Sequence, residues 1–498
     1  MAIMLLLLRI VSLAIISIVG WLVYNILLHP LRKYPGPLLW RASPIPRILS
    51  RWRGTTVFDA HRLHEQYGPV VRLSPWELSY TSSEAWKDIH GTGNSAPRKP
   101  LPKNPLANPP PMSGEPGIID VLNDEQHRQQ RQLFNQGFST RALKEQEPLL
   151  RKHINRLVTA IQSRAEQGLE TNMVDMFNFL AFDVMGDLAF GASLGLLERS
   201  EYNSWVRVIV ATIKVVTIRI VVFYHIPFAS QILPLLVPKS MKAKRDAHMK
   251  FAEDRVRERL ERKTDRPDLW GLIMGGPDGK KAHLSLDQMV GNAALFMVVG
   301  SETTATVLSG TLYLLLKNKN CLERLKKEIH DSFNSKEDMT IEALPKLTYM
   351  TAVLDEAMRV YPGAPETLAR LVPAGGMQIC GEYVPKGTTV FILHYPTFHS
   401  SRNFVRPDDF APERWLPEGA VEFEKDDKKA FNPFSVGPRA CLGRNLAQYE
   451  LRLALSHLLW DFEFELDETC DDWLKQQTFS FWLKPPLTVR ARAAHRKT

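Results

Sequence analysis

The run Phe434-Ser-Val-Gly-Pro-Arg-Ala-Cys-Leu-Gly443, continuing as Arg444-Asn-Leu-Ala-Gln-Tyr-Glu450, is a glycine-containing loop that reaches a cysteine where a helix opens. A thiolate at a helix start is stabilised by the unpaired N–H groups of the first turn and by the positive end of the dipole. Cys441 is therefore a candidate metal ligand. Gly437 permits backbone angles that other residues resist, and Gly443 lets something bulky and flat lie close to the chain. Arg439, two residues before the cysteine, can meet an anion beside the metal. A lone cysteine is more often a buried structural residue, so the pattern around Cys441 has to carry the argument.

A second unusual stretch is Val299-Gly-Ser-Glu-Thr-Thr304, in the middle of a long apolar helix predicted over 284–318. Gly-Ser-Glu-Thr is a poor choice for such a helix interior, and local rule-breaking of this kind is expected at functional sites. A positioned acid–alcohol pair, here Glu302 and Thr303, is a means of delivering protons. The bland reading is a kinked helix with a solvated acid. Glu356-Ala-Met-Arg359 sets an acid and a base one helical turn apart, which on its own is usually a surface pair worth a few tenths of a kcal/mol.

These residues need a scaffold that brings distant segments together. The chain has 498 residues, 44% hydrophobic and 23% charged, enough for a large core. Apolar residues recur at three- and four-residue spacing over 124–164, 171–190, 284–318 and 340–361, and another helix is predicted from Arg444 to Leu459. Val70-Val-Arg-Leu73, Trp76 to Tyr80, Met377 to Cys380 and Thr388 to Ile392 read as short strands, with a hairpin from Phe479 to Arg490. Eight prolines fall within 97–117, which predicts a long ordered loop or flap. Neither an internal repeat nor a linker is visible. The expected body is one mainly α domain with a minor β-sheet region.

The net charge of +9 and pI near 9.2 raise the question of nucleic acid. The basic residues are scattered, with no aromatic-interleaved basic stripe and no zinc-finger spacing, so no nucleic-acid partner is expected. A basic face toward an acidic partner or anionic lipid is. The four cysteines, Cys321, Cys380, Cys441 and Cys470, form no C-x-x-C pair and no disulfide framework, which predicts a reducing compartment.

At the amino terminus, Ile10 to Leu28 is 19 residues without a formal charge, close to the span of a ~30 Å bilayer core. The run lacks a small-x-small cleavage site and ends in Leu27-Leu28-His29-Pro30, so a permanent anchor over 1–29 is preferred to a signal peptide. His29-Pro-Leu-Arg-Lys-Tyr-Pro-Gly-Pro37 then predicts a stiff proline-rich hinge over 30–37, leaving 38–498 as the catalytic domain. Basic residues after the span, and the absence of an N-x-[S/T] sequon, favour a cytosolic body. Trp205 to Val237 is very apolar but holds Arg207, Lys214, Arg219 and Pro227, so buried or membrane-dipping helices fit it better than a second span.

The Cys441 loop matches the haem-binding signature of the cytochrome P-450 family, F-x-x-G-x-R-x-C-x-G, at every fixed position, and the resemblance extends along the chain. Glu356-Ala-Met-Arg359 resembles the family's E-x-x-R, and Pro412-Glu-Arg-Trp415 the motif that adds Arg414; together Glu356, Arg359 and Arg414 would form a buried ionic cluster. Val299 to Thr304 resembles [A/G]-G-x-[D/E]-T-[T/S], with valine at the first position. The resemblance implies the P-450 fold behind an N-terminal transmembrane helix, haem b ligated by Cys441, and Phe434 and Gly443 beside the haem. It further implies His127, Arg131, Arg370 and Arg439 as partners of the haem propionates. His127 stands where many relatives have tryptophan. Gly300 would let the helix open beside the iron, Thr303 would hydrogen-bond the oxygen bound there, and Glu302 would relay protons. The thiolate favours O–O cleavage.

The function so implied is a monooxygenase inserting one atom of O2 into a lipophilic small molecule, by hydroxylation or epoxidation, with electrons from NADPH through NADPH-cytochrome P-450 reductase. Cytochrome b5 and membrane lipid are further expected partners. The style of the chain is similar to microsomal fungal members acting on terpenoid or polyketide intermediates of secondary-metabolite and mycotoxin pathways, which implies a single-pass protein of the endoplasmic reticulum facing the cytosol. Pocket walls are expected from 97–120, 205–237, Ala293 to Glu302, Ala364 to Leu368 and Thr478 to Phe481. The alternatives are a thiolate-haem isomerase or dehydratase, which needs no reductase, and a non-catalytic haem-binding protein.

Overall fold

The computed structural model describes residues 1–91, 100–108, 115–226, 239–262, 268–274 and 284–494. Helix α1, Ala2–Val23, continues into one π-helical turn, Tyr24–Leu28. The apolar helix covers Ile3–Leu28, has a mean hydropathy of 2.6 and is 0% buried. It therefore begins earlier than predicted and takes in Arg9. The proline-rich segment after it forms turns and is not solvent-separated from the body: Leu31 and Tyr34 are buried in a cluster with Leu78, Tyr80 and Ile392. Asn25 donates to the Ala42 carbonyl at 2.8 Å, and the fully buried Arg72 donates to the Asn25 carbonyl at 3.0 Å. These contacts bind the end of the apolar helix to the body.

Strands β1, Val70–Ser74, and β2, Glu77–Tyr80, pair antiparallel around the predicted turn. Helices α2, Asp124–Gly137, and α3, Thr140–Glu166, replace the single helix predicted over 124–164. The break comes at Phe138-Ser139, where the Ser139 hydroxyl accepts from the Ala142 N–H and starts a new helix. Helix α4, Met173–Phe190, is buried at every residue but Asp175. Helix α5, Ser204–His225, turns Arg207 and Lys214 to solvent while Thr217, Val221 and His225 are buried. It belongs to the body; Pro227 and the rest of that apolar stretch, to residue 237, lie outside the described residues.

The long helix α6, Leu286–Lys317, opens with a capping box between Ser285 and Gln288 and packs along α4. It is apolar enough to cross a membrane but 72% buried, as the central helix of a core. Helix α7, Thr348–Val360, starts later than predicted because Pro345 first sets a 3-10 turn over Leu344–Lys346. Strands β3, Arg370–Leu371, and β4, Thr389–Ile392, complete a sheet of order β1-β2-β4-β3 in which β2 and β4 run parallel. Met377–Ile379 pairs with Glu382–Val384 as a separate small hairpin.

Helix α8, Arg444–Asp461, follows the cysteine loop. Strands β5, Phe462–Leu466, β6, Gln477–Phe479, β7, Phe481–Leu483, and β8, Thr488–Ala493, end the fold. The hairpin predicted from Phe479 to Arg490 is tighter than expected: β6 and β7 turn at Ser480, and β8 pairs with β5 and Thr171–Asn172 instead. Pro485 and Pro486 explain the split, since neither has an N–H to continue the ladder.

Candidate functional site

The loop before α8 is held by its backbone. The Cys441 N–H donates to the Phe434 carbonyl at 2.8 Å, and Ala440 N–H to Gly437 at 3.0 Å. Gly437 has φ +79°, and a Cβ there would lie 2.2 Å from the His90 carbonyl oxygen. No other residue fits at that position. Cys441 is accessible on one side although protein crowds it on the others. Burial pushes its thiol up; the Gly443 N–H, Arg131 and Arg444 act in the opposite direction. At Gly443 a Cβ would meet nothing closer than Phe138, at 3.9 Å. That side of the loop is open to a bulky group.

Basic residues from four segments converge beside this loop. Arg131, on α2, donates to the Ala440 carbonyl at 2.5 Å, and its charge acts on Cys441. Arg439 donates to Val121 and Leu122 carbonyls at 2.8 and 3.2 Å and to Asp124 at 2.8 Å, bracing the start of the helix that carries His127 and Arg131. Arg370 lies on β3, bridged to Lys103, and donates to the Leu101 carbonyl at 3.2 Å. This bridge orders the part of the proline-rich loop next to the site; residues 92–99 and 109–114 lie outside the described residues.

Burial makes this cluster electrostatically unfavourable by itself. Desolvation, reinforced by Arg439, Lys103 and Arg131, lowers His127 to about 4, so its ring is neutral. Desolvation with Arg439 and Arg370 lowers Lys103 to about 7, and Arg370 falls to about 10 for similar reasons. Asp120 and Asp124 are the acids acting on these groups, and Arg370 Nε has no hydrogen-bond partner among the described residues. Buried like charges of this kind suit a ligand with two negative arms. The residues fit haem. Lys103 was not singled out in the sequence; the only signal was a basic residue inside a proline-rich loop.

The middle of α6 carries Glu302 and Thr303. Thr303 Oγ1 donates to the Val299 carbonyl at 2.8 Å and is half-buried. Its carbonyl lies 3.1 Å from the point where a Cβ of Gly363 would stand, so the segment after α7 packs against it. Glu302 is buried and points elsewhere: Oε2 accepts from Lys484 Nζ at 2.7 Å, and Lys484 also donates to Thr306 at 2.9 Å. Adjacent helical residues diverge by about 100°, so Glu302 and Thr303 make no direct contact. Gly300 lies on the face of α6 that meets α4. A Cβ there would lie 2.8 Å from Met185 Sδ, so the glycine permits close packing of α6 on α4.

Of the expected pocket walls, α5 meets the β6–β7 turn, where Thr217 donates to the Phe479 carbonyl at 3.0 Å. Gly117 lies against Leu295 and Asn292 on α6.

Behind the site, Glu356, Arg359 and Arg414 meet with no side-chain exposure. Arg414 donates to Glu356 at 3.2 Å and to Asp426 at 2.6 Å. Trp415 Nε1 donates to Glu356 Oε2 at 3.0 Å. Asp426 and Trp415 complete the cluster and were not foreseen; Trp415 stood within the motif read for Arg414.

The family model described as Cytochrome P450 matches residues 35–489. The chain is 41% identical over 477 residues to the cytochrome P450 monooxygenase efuB of Hormonema carpetanum, covering 95% of this chain and 94% of that one. It is 42% identical to averantin hydroxylase of Dothistroma septosporum, covering 94% and 87%. It is 40% identical to the cytochrome P450 monooxygenase stcF of Emericella nidulans, covering 94% and 95%.

Proposed function

Because this chain belongs to the cytochrome P450 family and is a haem-dependent monooxygenase, we propose that it hydroxylates or epoxidises a lipophilic polyketide or terpenoid intermediate of fungal secondary metabolism. The similarity to averantin hydroxylase supports that substrate class. Haem, when bound, supplies oxygen activation with electrons from NADPH delivered by a reductase. The observation that carries the reading is the accessible Cys441 beside a buried cluster of basic residues.

In this reading Cys441 would ligate the haem iron through its thiolate, with Phe434 and Gly443 beside the haem. His127, Arg131, Arg370 and Arg439 would hold the propionates. Thr303 would turn its hydroxyl from the Val299 carbonyl to donate at the reacting position, and Glu302 would take protons from solvent and pass them on. Glu356, Arg359 and Arg414 hold the body behind the cysteine loop. Residues 1–29 anchor the chain, 30–37 join it to the body, and 38–498 form the catalytic domain. Leu38, Leu39, Ile45, Leu49 and Trp52 are exposed next to the apolar helix, which supports contact with membrane lipid. The endoplasmic reticulum with a cytosolic body is the setting that suits a reductase partner. Basic residues around Arg128 and the cysteine loop would receive the acidic face of the reductase, and cytochrome b5 is a second donor for the same surface.

The test is spectroscopic and chemical. Reduced protein with carbon monoxide should show the absorption typical of thiolate haem, and Cys441→Ala should lose it. Product should appear in membranes only with NADPH and O2. A thiolate spectrum that survives in Cys441→Ala would refute the ligand assignment, and NADPH-independent turnover would favour isomerase chemistry.

A further inference from the structure

We propose that Lys484 is a positioning residue for proton supply, holding the Glu302 side chain turned toward the β6–β7 hairpin, away from Thr303. The proposal rests on the reading of Glu302 as the acid that supplies protons.

Both partners of the ion pair are shielded, each side chain being 4% exposed. An isolated carboxylate so buried would take up a proton, because desolvation disfavours the charged form. Lys484 Nζ opposes this at 2.7 Å from Glu302 Oε2, while Thr306 accepts a second hydrogen bond from the ammonium at 2.9 Å. The other groups that sense Glu302 are the hydroxyls of Tyr202 and Tyr361, both raised chiefly by burial. Tyr202 is occupied with Asp175 and Asn178, and Tyr361 donates to Gln476. Neither offers the positive charge that Lys484 provides.

The lysine is itself fixed by its surroundings. It follows β7, whose Trp482 donates to the Pro362 carbonyl at 2.7 Å, and precedes Pro485 and Pro486. In β6, the Thr478 N–H donates to the Gly54 carbonyl at 2.8 Å. Lys484 therefore reaches α6 from a held hairpin, and Glu302 must leave it before its carboxyl can approach the Thr303 side of the helix. Supply of a proton to that side is thereby tied to release of the ion pair.

Lys484→Met, Lys484→Arg, Glu302→Gln and the double variant Lys484→Met/Glu302→Gln, each as full-length holoenzyme, test the assignment by two readouts. The first is the thermal unfolding midpoint between pH 5 and pH 8. In Lys484→Met the buried carboxylate loses its only close cation among the described residues, and burial then favours its protonated form in the folded state. The folded state then binds more protons than the unfolded one, so the midpoint should fall relative to the original protein as pH rises. Lys484→Arg should restore the original profile, and the double variant should lose the extra slope. The second readout is hydrogen peroxide released per NADPH with the reductase, which should change in Lys484→Met and return in Lys484→Arg. An unchanged pH profile in Lys484→Met, or the same extra slope in the double variant, overturns the Lys484 assignment. Unchanged peroxide release in Glu302→Gln overturns the reading of Glu302 as proton supplier, and it does so independently of the unfolding data.

Discussion

The guanidinium of Arg359 forks onto the carboxylate of Glu356, Nε to Oε2 and Nη2 to Oε1, both at 2.9 Å and both wholly out of solvent. The remaining Arg359 donors reach the carbonyls of Phe398, Pro407 and Asp409, so the charge is satisfied by loops far apart in sequence. A pair that in isolation is worth a few tenths of a kcal/mol here joins α7 to the segment that leads into the cysteine loop.

Glu356→Ala should therefore destabilise the body by about 3–5 kcal/mol, because it leaves the buried Arg359 without its carboxylate and takes one of two carboxylates from Arg414. Thermal unfolding and haem content should fall together. Acid should act on the same group. Burial raises the Glu356 carboxyl, but Arg359 and Arg414 outweigh it and hold the pKa below the usual value. A depressed folded pKa contributes stability above the unfolded pKa, and this is lost as pH falls through the folded value. The acid limb of the stability profile should flatten in Glu356→Gln.

Thr303→Ala should keep haem and substrate binding, since neither uses the hydroxyl, and should divert NADPH electrons to hydrogen peroxide. General acid–base groups contribute roughly 10²–10⁴-fold, so product formation should fall by at least the lower figure. Coupling of NADPH to product is the measurement; unchanged coupling would remove Thr303 from the mechanism.

Lys103→Met should act in opposite directions on the two forms of the protein. Haem retention should weaken, because one buried cation facing the propionates is gone. The haem-free chain should lose its pH dependence between about pH 7 and 10.5, the folded value and the ordinary value for Lys103. Within that window the unfolded state binds more protons, so stability of the original haem-free chain should rise with pH. Unfolding midpoints across that range, with and without haem, check both effects.

Deleting residues 1–23 should release the protein from membranes with little loss of stability, because Asn25 and its contacts with Ala42 and Arg72 remain. Deleting 1–28 removes those contacts as well. Each stranded buried group costs about 1–3 kcal/mol, so the shorter chain should unfold at lower temperature. Equal midpoints would show that the contacts contribute nothing to the body.

The sequence carried the cysteine loop, the acid–alcohol run and the E-x-x-R pair because each is a local spacing. It did not carry Lys484, whose partner lies 182 residues away, nor Lys103, whose neighbours come from α2, β3 and the cysteine loop. Helix content was legible from periodicity, but the break at Ser139 was not, since the apolar spacing runs through it and only the capping serine marks it. The divided carboxy-terminal hairpin was readable in principle from Pro485-Pro486. The close approach of Met185 to Gly300 was not legible, because a glycine that admits a neighbouring helix looks the same in sequence as one that opens a helix.

The joint between the apolar helix and the body has a consequence for encounter with redox partners. A body on a floppy tether tumbles and presents its electron-accepting face in every direction. Here the backbone of Asn25 is gripped by Arg72, and the chain that follows is sunk into the body through Leu31 and Tyr34. Were that helix to stand upright in a bilayer, the body would keep one height and one tilt. Its search for a membrane-bound reductase would then be reduced to lateral drift and spin about a single axis.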